Sequence, residues 1–211
     1  MNNLERMNAE MAYKVDDTVM EEVGEVRRLV QKLNSCDWAD ADAIAKIMHE
    51  LIDAPEGAVI TPPFYCDFKK HIRVGKNFYV NYNCTMLDTA SITIGDNCFI
   101  APNVGIYTAG HPVHPMTRAS RYEYGKSITI GDNVWIGGHS AILPGVHIGS
   151  NVVIGAGSVV TRDIPDWVVA AGNPCVVKRK ITDGDRRKLF ADEDIDDAAW
   201  AEICAKYGWE V

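Results

Sequence analysis

An aliphatic residue returns every six positions along most of the middle of this 211-residue chain. One register runs Val74, Val80, Met86; after a slip of two residues it continues as Ile94, Ile100, Ile106. After a longer gap it resumes as Ile130, Ile136, Ile142, Ile148, Ile154 and Val160. Four residues beyond each lies a second small or apolar residue, for example Val134, Ser140, Val146, Val152 and Ser158. Period six suits neither a lone helix nor a simple alternating strand, although each short piece alternates as a strand does. A short strand followed by a Gly/Asn turn, as in "IGDNVW", "IGSNVV" and "IGAGSV", describes one face of a parallel β-helix. Three faces make an 18-residue coil, so Ile130 should stack on Ile148, Ile136 on Ile154 and Ile142 on Val160, about 4.8 Å apart. Gly and Asn belong at the corners, where a positive φ is needed. A β-sandwich would leave this register, eleven aliphatic residues and one Met, as an accident.

The stretch "YTAGHPVHPM" breaks the pattern. The phase survives from Ile106 to Ile130, but continued hexads would place Pro112, Arg118 and Tyr124 in the core. An unpaired Arg inside a thin prism is costly. The segment is therefore expected to leave the prism as a loop over about 107–127, and excursions from a rigid scaffold commonly carry function. Before the prism, Val19, Val23, Val26, Val30 and Leu33 form one helical stripe, and Ile44, Ile47, Met48, Leu51 and Ile52 another. Pro55 and Gly57 end the second. After the prism, "DEDIDDAAWAEICAKYGWEV" suits a C-terminal helix. The expected organisation is mainly β: a helical segment at 1–60, a β-helix at 61–180 and a helical extension at 181–211.

Composition narrows the partners. A net charge of −8 argues against nucleic acid and against an anionic membrane surface. No apolar run approaches the roughly 20 residues needed to span a bilayer. The N-terminal "MNNLERMNAEMAYKVDD" lacks the basic-then-apolar build of a secretory signal. Six cysteines without a C-x-x-C pair suggest neither a zinc knuckle nor a disulfide framework. A reduced, cytoplasmic protein is expected.

The hexads, together with "NFYVNYNCTMLD", "GHPVHP", "DNVWIGG", "VIGAGSVVTRDIPDWVVAAGNPC" and "KRKI", resemble the maltose and galactoside O-acetyltransferases, members of the hexapeptide-repeat acyltransferases. The resemblance covers about residues 5–181 and leaves the C-terminal thirty unmatched. It implies a left-handed β-helix, acetyl transfer from acetyl-CoA to a sugar hydroxyl, and homotrimers with active sites between subunits, with no metal required. His111 matches the catalytic histidine, and neutral imidazole suits a general base near pH 7. Asn81 matches the asparagine near it, able to donate to a tetrahedral oxyanion. Asp67, Tyr79 and Asp88 match acceptor-site positions, and Asp17, or Asp16 beside it, stands where the N-terminal segment supplies another carboxylate. Galactoside-type members carry Ser where this chain has Asp67, which leans towards the maltose-type branch. For acetyl-CoA, the resemblance implies Trp135, Gly138, Ala156, Thr161, Arg162 and Arg179. The cations Lys178, Lys180, Arg186, Arg187 and Lys188 add a local positive excess suited to its phosphates.

Two other readings compete. A γ-carbonic-anhydrase-like zinc enzyme would need three convergent histidines. His111 and His114 could supply two, but His139 and His147 fall at corner and outward phases. A non-catalytic scaffold would share the fold without the chemistry.

Overall fold

The structure, a computed structural model, describes residues 1–209; Glu210 and Val211 of the expected C-terminal extension lie outside the described residues. The chain divides into two compact units, Met1–Arg179 and a second that begins at Lys180.

The first unit is a parallel solenoid with three faces, sheets of four, seven and five strands. Face one holds Ile72–Val74, Ile92–Ile94, Ile128–Ile130 and His147–Ile148. Face two includes Val59–Ile60, Tyr79–Val80, Phe99–Ile100, Trp135–Ile136 and Val153–Ile154. Face three holds Phe64–Cys66, Cys84–Leu87, Gly105–Tyr107, Ala141–Ile142 and Val159–Val160. The expected stacking is present: Ile130 pairs with Ile148, Ile136 with Ile154 and Ile142 with Val160. Every hexad position is at most 5% exposed, so the period is the core.

The strands are only two to four residues long on most faces, so the turns must hold the stack. Between faces one and two, Asn77, Asn97, Asn133 and Asn151 all adopt positive φ. Their side chains donate in series, Asn77 to Asn97 at 2.8 Å, Asn97 to Asn133 at 3.0 Å and Asn133 to Asn151 at 2.9 Å. Two residues before each Asn stands a glycine. A Cβ at Gly95 would lie 2.8 Å from the Gly131 backbone, closer than any side chain tolerates. Asparagine supplies a positive φ and a bridging amide together.

The turn from face three to face one is different. Val74 pairs with Ile94 and Ile94 with Ile130, spacings of 20 and 36 residues, before the regular 18 from Ile130 to Ile148. The extra residues lie at 67–71, at 88–91 and at 108–127, so three successive coils are widened at one corner. The last widening is the loop that displaces Arg118 from the core. It contains strand Ala109–Gly110, the short helix Pro115–Ala119 and strand Tyr122–Gly125. The two strands pair antiparallel, and an N-terminal strand, Tyr13–Lys14, adds to the outer edge with Tyr13 opposite Glu123.

Helix α1 (Asn3–Asn8) leads into that strand, and α2 (Asp17–Asn34) and α3 (Ala41–Leu51) follow it. The buried stripes of α2 and α3 are those read from the sequence; Val26, Val30 and Leu33 of α2 and the α3 stripe join the core of the first coil. A smaller cluster of Met7, Tyr13, Val19, Val23 and Phe68 fixes the N-terminal segment to the first widened turn.

In the second unit the expected helix is shorter than its sequence suggested. It spans Asp197–Tyr207, because Asp196 is extended and its side chain caps Ala198 and Ala199 N–H at 3.1 Å. The acidic residues before it form a strand, Glu193–Asp194, paired with Lys188–Phe190. Among the described residues, no helix is long and apolar enough to cross a membrane.

Candidate active site

The widened corner carries one group of the candidate residues. His111 lies in a cavity of about 440 Å³ with Val15, Arg118, Arg121 and Glu123. A second cavity of about 250 Å³ also takes Val15 and Glu123, and adds Tyr13, Arg27, Asp67 and Thr89. The shared residues make these adjoining parts of one polar cleft. The His111 side chain is 59% exposed, and its Nδ1 stands 3.9 Å from Glu123 Oε1, longer than a hydrogen bond. The Tyr13 hydroxyl donates to Glu123 Oε2 at 3.0 Å. Burial and the Glu123 charge raise the Tyr13 pKa, so this hydroxyl stays a donor. Glu123 and Tyr13 escaped the sequence reading, since nothing periodic links residues 110 apart.

Asp67 is partly buried in the cleft wall. Its carboxyl is raised by burial, which the Arg27 guanidinium opposes. Asp88 does not reach the cleft. The direct acceptor contact expected of it is corrected by its burial, since it is 0% exposed. Its Oδ1 accepts from the backbone N–H groups of Asp67 and Phe68 at 2.8 and 3.1 Å. Burial pushes its carboxyl up to about 7 despite those donors. Thr89, the next residue, lines the cleft instead. Asp17 is also set apart: it is exposed in the first turn of α2 and lines neither cavity. Asp16 is occupied as the N-cap, accepting from Val19 N–H and the Asn3 amide.

A second group sits on the outer surface of face two. Tyr79, Asn81, Phe99, Ala101 and Trp135 line an apolar groove of about 460 Å³. Tyr79, expected at the acceptor, lies here with Asn81 and Trp135 rather than beside Asp67. Asn81 Oδ1 accepts from Tyr82 N–H at 2.9 Å, which orients the amide and leaves its NH₂ without a partner among the described residues. Gly138 and Ala156 stack at the corner beyond, as the pairing of Ile136 with Ile154 requires. Gly137 and His139 N–H donate to neighbouring coils, whereas Gly138 N–H has no acceptor among the described residues. Thr161, Arg162 and Arg179 are exposed. His111 and Asn81 therefore line separate cavities of the single chain.

Three of the expected phosphate-binding cations are engaged within the second unit. Arg186 pairs with Asp183 at 2.9 Å, Lys188 with Asp194 at 2.8 Å, and Arg187 with Asp197. Asp183, Asp194 and Asp197 thus offset part of the expected positive excess. Among the described residues, no group of three His, Cys, Asp or Glu side chains is arranged to hold a metal ion. His114 is the residue before the short loop helix.

A three-faced solenoid with one coil extruded as a loop that carries a histidine fits the architecture expected of a hexapeptide-repeat transferase. Residues 127–162 match the bacterial transferase hexapeptide (six repeats), and residues 72–108 the hexapeptide repeat of succinyl-transferase. The galactoside O-acetyltransferase of Escherichia coli is 52% identical over 141 residues, which cover 67% of this chain and 70% of that protein. A solved galactoside acetyltransferase in complex with coenzyme A superposes with a TM-score of 0.87 at 40% identity, covering 93% of this chain and 99% of the other. A maltose O-acetyltransferase from Clostridium difficile gives 0.79 at 43% identity, covering 87% and 99%. The chain belongs to the galactoside and maltose O-acetyltransferase family of hexapeptide-repeat transferases.

Proposed function

We propose that this protein transfers the acetyl group of acetyl-CoA to a hydroxyl of a sugar, with His111 as general base. The observation that carries the reading is the His111 imidazole, set beside Glu123 and opening on a cleft that also presents Asp67 and Thr89. Glu123 facing Nδ1 favours the tautomer with its proton there, which leaves the Nε2 lone pair free to accept. The acceptor hydroxyl gives its proton to Nε2 as its oxygen attacks the thioester carbonyl. The tetrahedral oxyanion takes hydrogen bonds from the Asn81 amide and the Gly138 N–H, both free of protein partners in the described chain. The C–S bond then breaks, and the imidazolium returns the proton to the departing thiolate. Asp67 accepts from sugar hydroxyls, and its Arg27 neighbour partly offsets the rise that burial gives its carboxyl.

The two groups of residues must meet, and self-association would bring them together. Outward positions on face two stack Val59, Tyr79, Phe99 and Trp135 in register. Val59, Phe99 and Trp135 are 47%, 51% and 54% exposed, an apolar ladder suited to burial against another copy. We read the assembly as a homotrimer in which the loop of one copy faces the face-two groove of its neighbour. Trp135, Ala156, Thr161, Arg162 and Arg179 then border the path of acetyl-CoA.

Purified protein should release CoA thiol from acetyl-CoA when offered maltose, glucose or a galactoside. A folded oligomer that releases none with any sugar in such a panel overturns the reading.

A further inference from the structure

We propose that Asp88 is a positioning residue for the acceptor cleft: its buried carboxylate holds the Asp67–Phe68 backbone and thereby sets where the Asp67 carboxylate sits. The inference rests on the sugar-acetylating reading of that cleft. The insertion at 67–71 has no partner strand, so its backbone donors need another acceptor. Asp88 Oδ1 takes two of them, at Asp67 and Phe68. The Asp88 carbonyl meets His71 Nδ1 at 2.7 Å, and that ring stacks on Phe68 with centroids 5.1 Å apart. One residue thus grips both ends of the insertion. Phe68, 3% exposed, is pinned in turn beneath Tyr13, Val19 and Val23. Between these anchors the Asp67 side chain is delivered to the cleft.

Asp88 Oδ1 can accept both backbone N–H groups whether the carboxyl is protonated or ionised. Its second oxygen, Oδ2, is buried and has no partner among the described residues. The titratable neighbours are Asp67 and Cys66, which share its electrostatic environment, and His71. None of them supplies a cation in bonding contact with Oδ2. An unpaired buried oxygen costs stability, and such costs collect where geometry serves a site.

The test compares wild type with Asp88→Asn and Asp88→Ala, reading KM for the sugar and for acetyl-CoA separately, with crystal structures of each. Asn keeps the Oδ1 acceptor; Ala removes it. Asp88→Ala should raise the sugar KM about tenfold, the scale of losing a charged hydrogen bond, with the acetyl-CoA KM little changed. Asp67 should be displaced in its crystal structure, and Asp88→Asn should restore both towards wild type. If Ala prevents folding, Asp88→Ser, too short to reach both N–H groups, replaces it. Equal changes in the two KM values, or an unmoved Asp67, would overturn the proposal. A wild type that acetylates no sugar would defeat the functional reading alone, because the position of Asp67 in the variant crystals still decides this one.

Discussion

Where the chain turns from face one to face two, four coils use the same Gly-x-Asn sequence; where it turns from face three to face one, no two coils agree. The first corner spends its polar groups on the coils above and below. Asp96 Oδ1 accepts from Lys76 N–H at 2.7 Å and Asp132 Oδ1 from Asp96 N–H at 2.8 Å, while the asparagines form their own ladder. The second corner interrupts the stack three times and turns Asp67, Thr89 and His111 outward or into a cleft. Repetition supplies rigidity, and departure from it supplies chemistry.

Four substitutions put that contrast to the test. His111→Ala, at the irregular corner, should lower kcat by roughly 10²–10⁴-fold with an unchanged melting temperature. An activity within a factor of three of wild type would remove the base from the scheme. Asn97→Ala, at the regular corner, should do the reverse. Alanine at a φ of 57° costs about 1–2 kcal/mol, and each broken ladder bond about 1 more. With two ladder bonds lost, urea unfolding should read about 3–4 kcal/mol lost, with kcat per folded molecule retained.

The buried Asp88 should make stability depend on pH in an uncommon direction. An exposed carboxyl in the unfolded chain loses its proton near pH 4, whereas the folded one holds it to about 7. The folded state binds the extra proton between those values, so stability falls as pH rises through that window and levels above it. The slope from this group is at most about 1.4 kcal/mol per pH unit. Asp88→Asn should flatten denaturation midpoints measured from pH 5 to 7; an unaltered slope would assign the effect elsewhere, with Asp67 the next candidate. The smallest effect belongs to Glu123→Gln, which keeps the shape but removes the charge facing Nδ1. A loss of about tenfold in kcat, near 1.4 kcal/mol, is expected, with the KM for acetyl-CoA unaffected.

The register was legible because every sixth side chain meets the same narrow interior, which accepts only apolar residues. The two-residue slip before Ile94 was equally plain, but its meaning was not: it marks the corner that carries the proposed site. His111 could be found from the broken period and the family likeness. Asp88 and Asp17 show what a sequence withholds. At both places two adjacent polar residues compete for one role, and the hexad phase, which fixes side-chain direction elsewhere, lapses there. Backbone geometry decides, with Asp88 turned inward and Thr89 to the cleft, and with Asp16 taken as a helix cap. Tyr13 and Glu123 were hidden for another reason: their pairing depends on a strand meeting across most of the chain.

That long-distance pairing bears on how the molecule acquires its activity. Coils can zip onto one another locally, each closing a loop of about twenty residues, but joining Tyr13 to Glu123 closes one of over a hundred. During refolding, strand signal should return first and acetyl transfer should trail it. The catalytic crevice would be the last part of the architecture to mature.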